Sequence, residues 1–106
     1  MTKKKKIWSM LEIQQSNHAN GQYFFESAAL RFFKSRVSDV VYQGKGGIYF
    51  VTSEKHDNAF VCEPRLYTVR RFVPKGGRVE TIGEFQEYKY RTTAHQEAAR
   101  LAKKGE

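Results

Sequence analysis

The chain has 106 residues, of which 40% are apolar and 14% aromatic, so it can build one domain with a modest core but not two. Nineteen Lys and Arg stand against eleven Asp and Glu, and the resulting net charge of +8 favours a polyanionic partner. The single cysteine, Cys62, excludes an intramolecular disulfide and a multi-cysteine zinc site. Because no apolar run is long enough to span a bilayer and no secretion signal is visible, we expect a soluble cytoplasmic protein.

The N-terminus concentrates half of this charge in one run. Lys3, Lys4, Lys5 and Lys6 are consecutive and supply four of the eight net positive charges. We expect residues 1–6 to form a basic disordered tail and residues 7–106 to form a single domain. The tail has two interpretations, a solvated mobile arm or an arm that contacts phosphates.

The first part of the domain gives weak signals. Residues 7–20 begin with apolar side chains and become polar, which fits a short strand or one helical turn before the Asn20-Gly21 turn. Residues 22–25 read as a short strand. Ser27 is a plausible N-cap for a short helix through Arg36, whose apolar positions recur at helical spacing at Ala29, Phe32 and Phe33.

Two hairpins are predicted next. Residues 39–43 and 48–52 are rich in β-branched and aromatic side chains and are separated by Gly44-Lys45-Gly46-Gly47. That loop could cradle a phosphate, but it lies between strands and lacks a following Gly-Lys-Ser/Thr, so a hairpin connection is the favoured interpretation. Residues 66–73 alternate, turn at 74–77, and return through 78–85. Residues 54–65 form the longest predicted loop.

The C-terminal element is a helix that starts at Thr92 or Thr93. Thr93 and Gln96 have the spacing of a capping box, and a narrow apolar stripe follows at Ala94, Ala98, Leu101 and Ala102. The fold class is therefore α+β: a four- or five-stranded antiparallel sheet of two hairpins, with two short helices packed on one face.

No pattern for catalysis or metal binding emerges. His18, His56 and His95 are far apart in sequence, and no motif surrounds Cys62, so we expect no metal, no cofactor and no catalytic residue. Glu80 and Glu84 would lie about 13 Å apart along a strand, which is too far for a paired acid and base. An enzyme is therefore not expected.

Basic residues that alternate with aromatics form the one distinctive constellation. Arginine and aromatic side chains on a sheet can neutralise phosphates and stack on bases. Strand alternation allows at most one of Arg70 and Arg71 to be a sheet-face contact, and the other should pair with a carboxylate such as Glu80 or lie exposed at an edge. The residues predicted to contact nucleic acid are Lys3, Lys4, Lys5, Lys6, Arg70, Arg71, Arg78, Lys89 and Arg91.

Several segments also resemble those of a family of small uncharacterised domains encoded by phages, prophages and other bacterial mobile elements. The resemblance covers about residues 20–102 and implies a bacterial host cell, with a role such as a DNA-associated accessory protein or an inhibitor of a host system. It transfers no catalytic or ligand residues. The segments that carry it are Gln22-Tyr23-Phe24-Phe25-Glu26-Ser27, Arg31-Phe32-Phe33-Lys34-Ser35-Arg36-Val37, Tyr49-Phe50-Val51-Thr52-Ser53-Glu54-Lys55, Arg65-Leu66-Tyr67-Thr68-Val69-Arg70 and Thr81-Ile82-Gly83-Glu84-Phe85-Gln86.

Taken together, the charge and the resemblance predict a small, basic, non-enzymatic binding protein of mobile-element origin that contacts nucleic acid. The alternative is an inhibitor that docks on a host nucleic-acid-handling protein such as a defence nuclease. The two hypotheses differ in how strongly binding depends on salt and in whether a protein partner is bound at a fixed ratio. An acidic mimic of DNA is excluded by the charge of +8. We expect no membrane contact.

Overall fold

The structure, a computed structural model, describes residues 8–27, 31, 35–55 and 64–104. Within these ranges the chain forms two helices, a 3₁₀ turn and five strands, which is an α+β fold. Their bounds in chain order are α1 Met10–Ala19, the 3₁₀ turn Phe24–Glu26, β1 Arg36–Val37, β2 Tyr42–Gln43, β3 Ile48–Glu54, β4 Leu66–Val73, β5 Arg78–Ile82 and α2 Arg91–Lys104.

The five strands form one open antiparallel sheet. Its strand order is β1-β3-β4-β5, and β2 pairs with β3 beside β1. Both predicted hairpins are confirmed, the first with Tyr42 opposite Tyr49 and the second with Arg71 opposite Glu80. The first strand of the first hairpin is shorter than expected, because only Tyr42–Gln43 pairs.

The central strand, β3, is buried along all seven of its residues because the sheet is covered on both sides. On one side, the α1 face, Ile48 and Phe50 pack with Phe72 of β4 and with Met10 and Ile13 of α1. On the other side, the α2 face, residues of β3 and β4 pack against the apolar stripe of α2. The buried residues on that side are Tyr49, Val51, Val69, Ala94, Ala98, Leu101 and Ala102.

Helices α1 and α2 therefore lie on opposite faces of the sheet, and α1 is not one of the two helices that the sequence predicts on one face. The physical reason is the apolar character of both sets of alternating positions in β3 and β4. The expected helix of residues 28–36 lies largely outside the described residues, as does Phe33. Arg36, expected at the end of that helix, belongs to strand β1.

Helix α1 replaces the short strand or single turn expected near residues 7–20. Ser9 is its N-cap, and a complete capping box joins Ser9 and Glu12. The Ser9 hydroxyl accepts a hydrogen bond from the Glu12 amide at 3.2 Å, and the Glu12 carboxylate accepts one from the Ser9 amide at 3.1 Å. These bonds satisfy amides that the first helical turn leaves unpaired, so the helix forms despite its polar composition.

The strand predicted for residues 22–25 is wrong, because the chain makes a 3₁₀ turn there. Tyr23 has a left-handed backbone with φ of 54°, which is incompatible with a strand. Buried Asn17 holds the turn: its Oδ1 accepts from the Phe24 amide at 2.7 Å, and its Nδ2 donates to the Gly77 carbonyl at 2.8 Å.

Helix α2 confirms the predicted C-terminal stripe, since Ala94, Ala98, Leu101 and Ala102 are all buried. The helix begins at Arg91, so Thr93 lies inside the first turn and is not the N-cap. No helix within the described ranges is long and apolar enough to cross a membrane. Residues 1–7, His56, Cys62 and most of the predicted 54–65 loop lie outside the described residues.

Candidate functional site

The predicted binding residues are distributed over both faces of the sheet. Arg70 and Arg71 point to opposite sides of β4: Arg70 shares the α1 face with Phe72, and Arg71 shares the α2 face with Val69. Arg78, Lys89 and Arg91 are exposed. Lys3 to Lys6 lie outside the described residues.

Arg70 is an internal residue, only 6% exposed. Its Nε donates to Thr52 Oγ1 at 3.0 Å and its Nη1 to Thr81 Oγ1 at 2.6 Å, while Nη2 lies 3.6 Å from the Glu54 carboxylate. Burial lowers the pKa of Arg70, and the charge of Glu54 partly opposes that effect. Because its donors are directed into the protein, Arg70 is not retained among the phosphate contacts.

Glu54, the partner of Arg70, is itself fully buried. Its Oε1 accepts a 2.6 Å hydrogen bond from Thr68, whose hydroxyl oxygen in turn accepts from the Gln86 amide at 2.8 Å. Its Oε2 has no hydrogen-bond partner and is neutralised by the nearby Arg70 guanidinium. This connected network ties β3, β4 and the segment after β5 together.

Arg71 is held by a carboxylate, as predicted. Its Nη2 lies 2.8 Å from Glu80 Oε1, and its Nε donates to the same oxygen at 3.0 Å. Hydrogen bonds to Tyr49 and Glu80 raise the pKa of Arg71. The positive charge of Arg71 is therefore largely compensated within the molecule.

A cavity of about 440 Å³ lies where the far ends of β3 and β1 meet the start of α2. Arg36 of β1, Arg65 just before β4 and Arg91 at the start of α2 all line it, and we call it the arginine cavity. Among the described lining residues, the one carboxylate is Asp39. Among the lining residues that the structure describes, three arginines thus stand against one carboxylate.

Local structure orients one of these cations and adds positive potential beside another. The Nη1 of Arg65 donates to both the carbonyl and the hydroxyl of Ser53, each at 3.1 Å, which anchors the side chain to β3. Arg91 is the first residue of α2, where the helix dipole adds positive potential. Both features favour an anion in the cavity.

His95 also lines the arginine cavity, one turn along α2 from Arg91. Its Nδ1 lies 2.9 Å from the hydroxyl oxygen of Tyr42, and this hydrogen bond fixes the ring. Burial, and then the positive charge of Arg91, lower the pKa of His95. The imidazole is therefore neutral at pH 7, so the arginines supply the positive charge.

An exposed basic and aromatic run leads into the cavity. Lys89, Tyr90 and Arg91 are consecutive and all exposed, and Tyr90 is 70% accessible, the most exposed large apolar side chain of the described chain. In the sequence, the run has an aromatic residue between two cationic ones. Stacking on a base with adjacent phosphate contacts is the chemistry that such a run can provide.

The sequence pattern predicts Lys89 and Arg91 as contacts. Arg36 is not predicted, and Arg65 belongs to the run of alternating basic and aromatic residues but is not among the predicted contacts. The residue pattern places Arg36 on an apolar helical stripe and Arg65 at the end of a loop. Their convergence depends on pairing between β1 and β3, with Arg36 opposite Ser53, and on the packing of α2. No local motif signals that arrangement.

Comparison with known proteins identifies a family for most of the chain. No curated protein and no solved structure matches this chain. A family model matches residues 9–99, which include both helices up to the last turns of α2 and all five strands. The chain therefore belongs to DUF7447, a family of unknown function.

Proposed function

We propose that this protein binds nucleic acid, preferentially single-stranded segments, without catalysing a reaction on it. The arginine cavity is the observation that carries the proposal, because it gathers Arg36, Arg65 and Arg91 around one concave space. Arginine presents a planar fork of donors that matches phosphate oxygens. A volume of about 440 Å³ is sufficient for a phosphate with part of its sugar.

The run from Lys89 to Arg91 supports a single-stranded ligand. A base can stack on Tyr90 only if it is unpaired or splayed from its helix, because the faces of paired bases are already stacked on their neighbours. Tyr90 is exposed and directly precedes Arg91 in the chain. Stacking on an exposed aromatic side chain tolerates every base. We therefore expect affinity with little sequence preference.

The biological setting is also part of the proposal. The resemblance to domains from phages, prophages and other mobile elements supports a role in the cytoplasm of a bacterial host. The net charge of +8 fits a polyanion in that compartment. An accessory protein that coats or escorts a nucleic-acid strand would need no more than the binding described above.

A second candidate is an inhibitor that docks on a host nucleic-acid-handling protein. The open sheet favours this alternative, because β5 is an edge strand and Phe85, just beyond it, is 43% exposed. Edge strands can pair with a strand of a partner protein. Such an interface would use β5 and not the arginine cavity.

The direct test measures binding to a labelled single strand of roughly 12 nucleotides, within the range of known site sizes. Arg36→Gln and Arg91→Gln should each weaken binding by about tenfold or more, because hydrogen bonds to charged groups contribute about 1.5–3 kcal/mol. Arg100→Gln is the matched control: it removes the same charge from an exposed arginine that already pairs with Glu97 on α2. Its affinity should stay close to that of the wild type.

A tagged pull-down from a bacterial lysate, with and without nuclease, separates the two candidates. Recovery of nucleic acid that disappears on nuclease treatment supports the proposed function. Recovery of one protein at fixed stoichiometry, unaffected by nuclease, supports the inhibitor. Absence of wild-type binding to any nucleic acid at moderate salt would refute the first proposal.

A further inference from the structure

A second cavity lies at the opposite end of the sheet from the arginine cavity. Its volume is about 650 Å³, and it lies between the loop of the first hairpin, the turn of the second hairpin and Trp8. Ile48, at the start of β3, lines it, whereas Ser53, near the end of β3, lines the arginine cavity. Five strand residues correspond to roughly 17 Å, so the cavities are separate sites.

This cavity, which we call the Trp8 cavity, has one aromatic side chain and two cationic side chains among its described lining residues. Trp8 is half-buried, and its ring centroid lies 5.1 Å from that of Phe72. Its backbone amide donates a hydrogen bond to Gln43 Oε1 at 3.2 Å. Lys45 and Lys75 extend from the two hairpin turns and are exposed. The described lining residues include no carboxylate.

The first hairpin loop keeps the cavity open. Three of the four residues in Gly44-Lys45-Gly46-Gly47 have no side chain, so a ligand can approach the backbone closely. Packing explains two of these glycines: a Cβ on Gly47 would lie 2.7 Å from the Phe72 carbonyl, and one on Gly44 would lie 3.0 Å from the Gly47 carbonyl. Lys45 is therefore the only side chain that this tight loop directs outward.

We propose that the Trp8 cavity binds a nucleoside phosphate, with the base against the indole of Trp8 and the phosphate between Lys45 and Lys75. A planar aromatic group and a phosphate are the two chemistries that this lining recognises, through stacking and ion pairing. A volume of about 650 Å³ is appropriate for one nucleotide. The ligand is either a free nucleotide or the end of a strand. The inference does not use the residues of the arginine cavity.

The test follows Trp8 itself, which is the only tryptophan of the chain and therefore reports on this cavity alone. Adenosine 5′-monophosphate, titrated into the full-length protein with excitation at the red edge of indole absorption, should quench Trp8 emission saturably. Free tryptophan amide in the same titration corrects for absorption by the nucleotide. Adenosine should bind more weakly, and inorganic phosphate should compete.

Variants test the position of the phosphate. Lys45→Gln and Lys75→Gln should each weaken binding of the monophosphate about two- to fivefold, the range expected for solvent-exposed ion pairs, and should change adenosine binding much less. Arg100→Gln, which removes one exposed positive charge outside both cavities, is the control and should have no effect. Both lysines of the cavity are exposed, so the variants should fold.

Three probes distinguish a free nucleotide from the end of a strand: the monophosphate, a short oligonucleotide and the same oligonucleotide with a 5′-phosphate. Tighter binding of the monophosphate than of a short oligonucleotide supports a free nucleotide, and tighter binding of a 5′-phosphorylated oligonucleotide supports a strand end. The inference is overturned if Trp8 emission shows no saturable change up to millimolar monophosphate, or if the lysine variants bind it unchanged. Loss of oligonucleotide binding in the arginine-cavity variants, with monophosphate quenching retained, would show that the two sites are independent.

Discussion

The side chain of Arg70 shows how a small basic domain can hold a cation in its interior. Its guanidinium group lies 5.3 Å from the ring centroid of Phe24 and 5.6 Å from that of Phe85. It donates hydrogen bonds to two threonine hydroxyls, and the Glu54 carboxylate forms an ion pair with it at 3.6 Å. Such a buried pair is costly to desolvate, so it contributes specificity more than net stability. Removing one partner is strongly destabilising, because the other charge then stays buried without compensation.

We expect Arg70→Ala or Glu54→Ala to lower the free energy of unfolding by about 3–5 kcal/mol, the usual cost of breaking a buried ion pair. Urea denaturation monitored by circular dichroism measures this loss. Arg78→Ala removes an exposed arginine and should change stability by less than about 0.5 kcal/mol. If Arg70→Ala costs no more than Arg78→Ala, the network does not hold the sheet together.

His95 gives the domain a pH dependence whose sign follows from its environment. Burial and Arg91 lower the pKa of His95 in the folded state, so the unfolded chain, with a histidine pKa near 6.5, takes up the proton first. The stability that His95 contributes is complete above about pH 6.5 and is lost as the pH falls through the folded pKa. His95→Gln should therefore show a smaller loss of stability between pH 7 and pH 5 than the wild type. Identical losses in urea denaturation would contradict this assignment.

Among the elements, strand β3 contributes buried side chains to the cores on both faces of the sheet. Phe50 is fully buried on the α1 face, as the alternation predicts, and its ring centroid lies 6.0 Å from that of Phe25. Phe50→Ala should cost about 3–5 kcal/mol, measured by thermal or urea unfolding, because it leaves a large cavity in the centre of the sheet. A loss below about 1 kcal/mol would mean that the strand is packed differently.

The elements that the sequence predicts well are those whose pattern is long and strongly apolar. The alternation of β4 and the alanine stripe of α2 belong to this class. Helix α1 is not predicted, because most of its surface is polar. The spacing of Ser9 and Glu12, which is that of a capping box, is the one sequence pattern that indicates its start. The 3₁₀ turn could not be predicted, because it depends on a hydrogen bond that Asn17 accepts from the Phe24 amide and on one that Asn17 donates to the distant Gly77 carbonyl.

The candidate site is less predictable than the fold. Four separate segments, around residues 36–40, 51–53, 65–67 and 91–95, line the arginine cavity, and only tertiary packing brings them together. Pairing of Arg71 with Glu80 was predictable because the second hairpin has a definite register. Composition alone indicates a charge for the partner but not the position of its binding site.

At the scale of the whole molecule, positive charge collects at the two ends of the sheet. The arginine cavity lies at one end, and Lys45 and Lys75 border the Trp8 cavity at the other. The consecutive lysines Lys3 to Lys6 precede Trp8 in the chain by two to five residues. A strand bound at one end could therefore gain further contacts from the opposite end or from the N-terminal lysines.

Deletion of Met1 to Lys6 tests the contribution of the tail. We expect thermal stability to be nearly unchanged, because a run of consecutive like charges repels itself and is usually solvated. Affinity for a single strand should fall, and the salt dependence should become less steep by about 0.7 units for each phosphate that the tail neutralises in the intact protein. An unchanged slope would show that these lysines do not bind phosphate.

The most direct test of the central claim is the salt dependence of single-strand binding by the wild type and by the Arg36→Gln, Arg91→Gln double variant. The slope of log affinity against log salt concentration reports the number of neutralised phosphates, at about 0.7 for each phosphate of a single strand. The arginine cavity predicts that the slope of the double variant is shallower by about 1.4 units, while Arg100→Gln keeps the wild-type value. Equal slopes for all three proteins, or no binding by the wild type, would contradict nucleic-acid binding through this cavity.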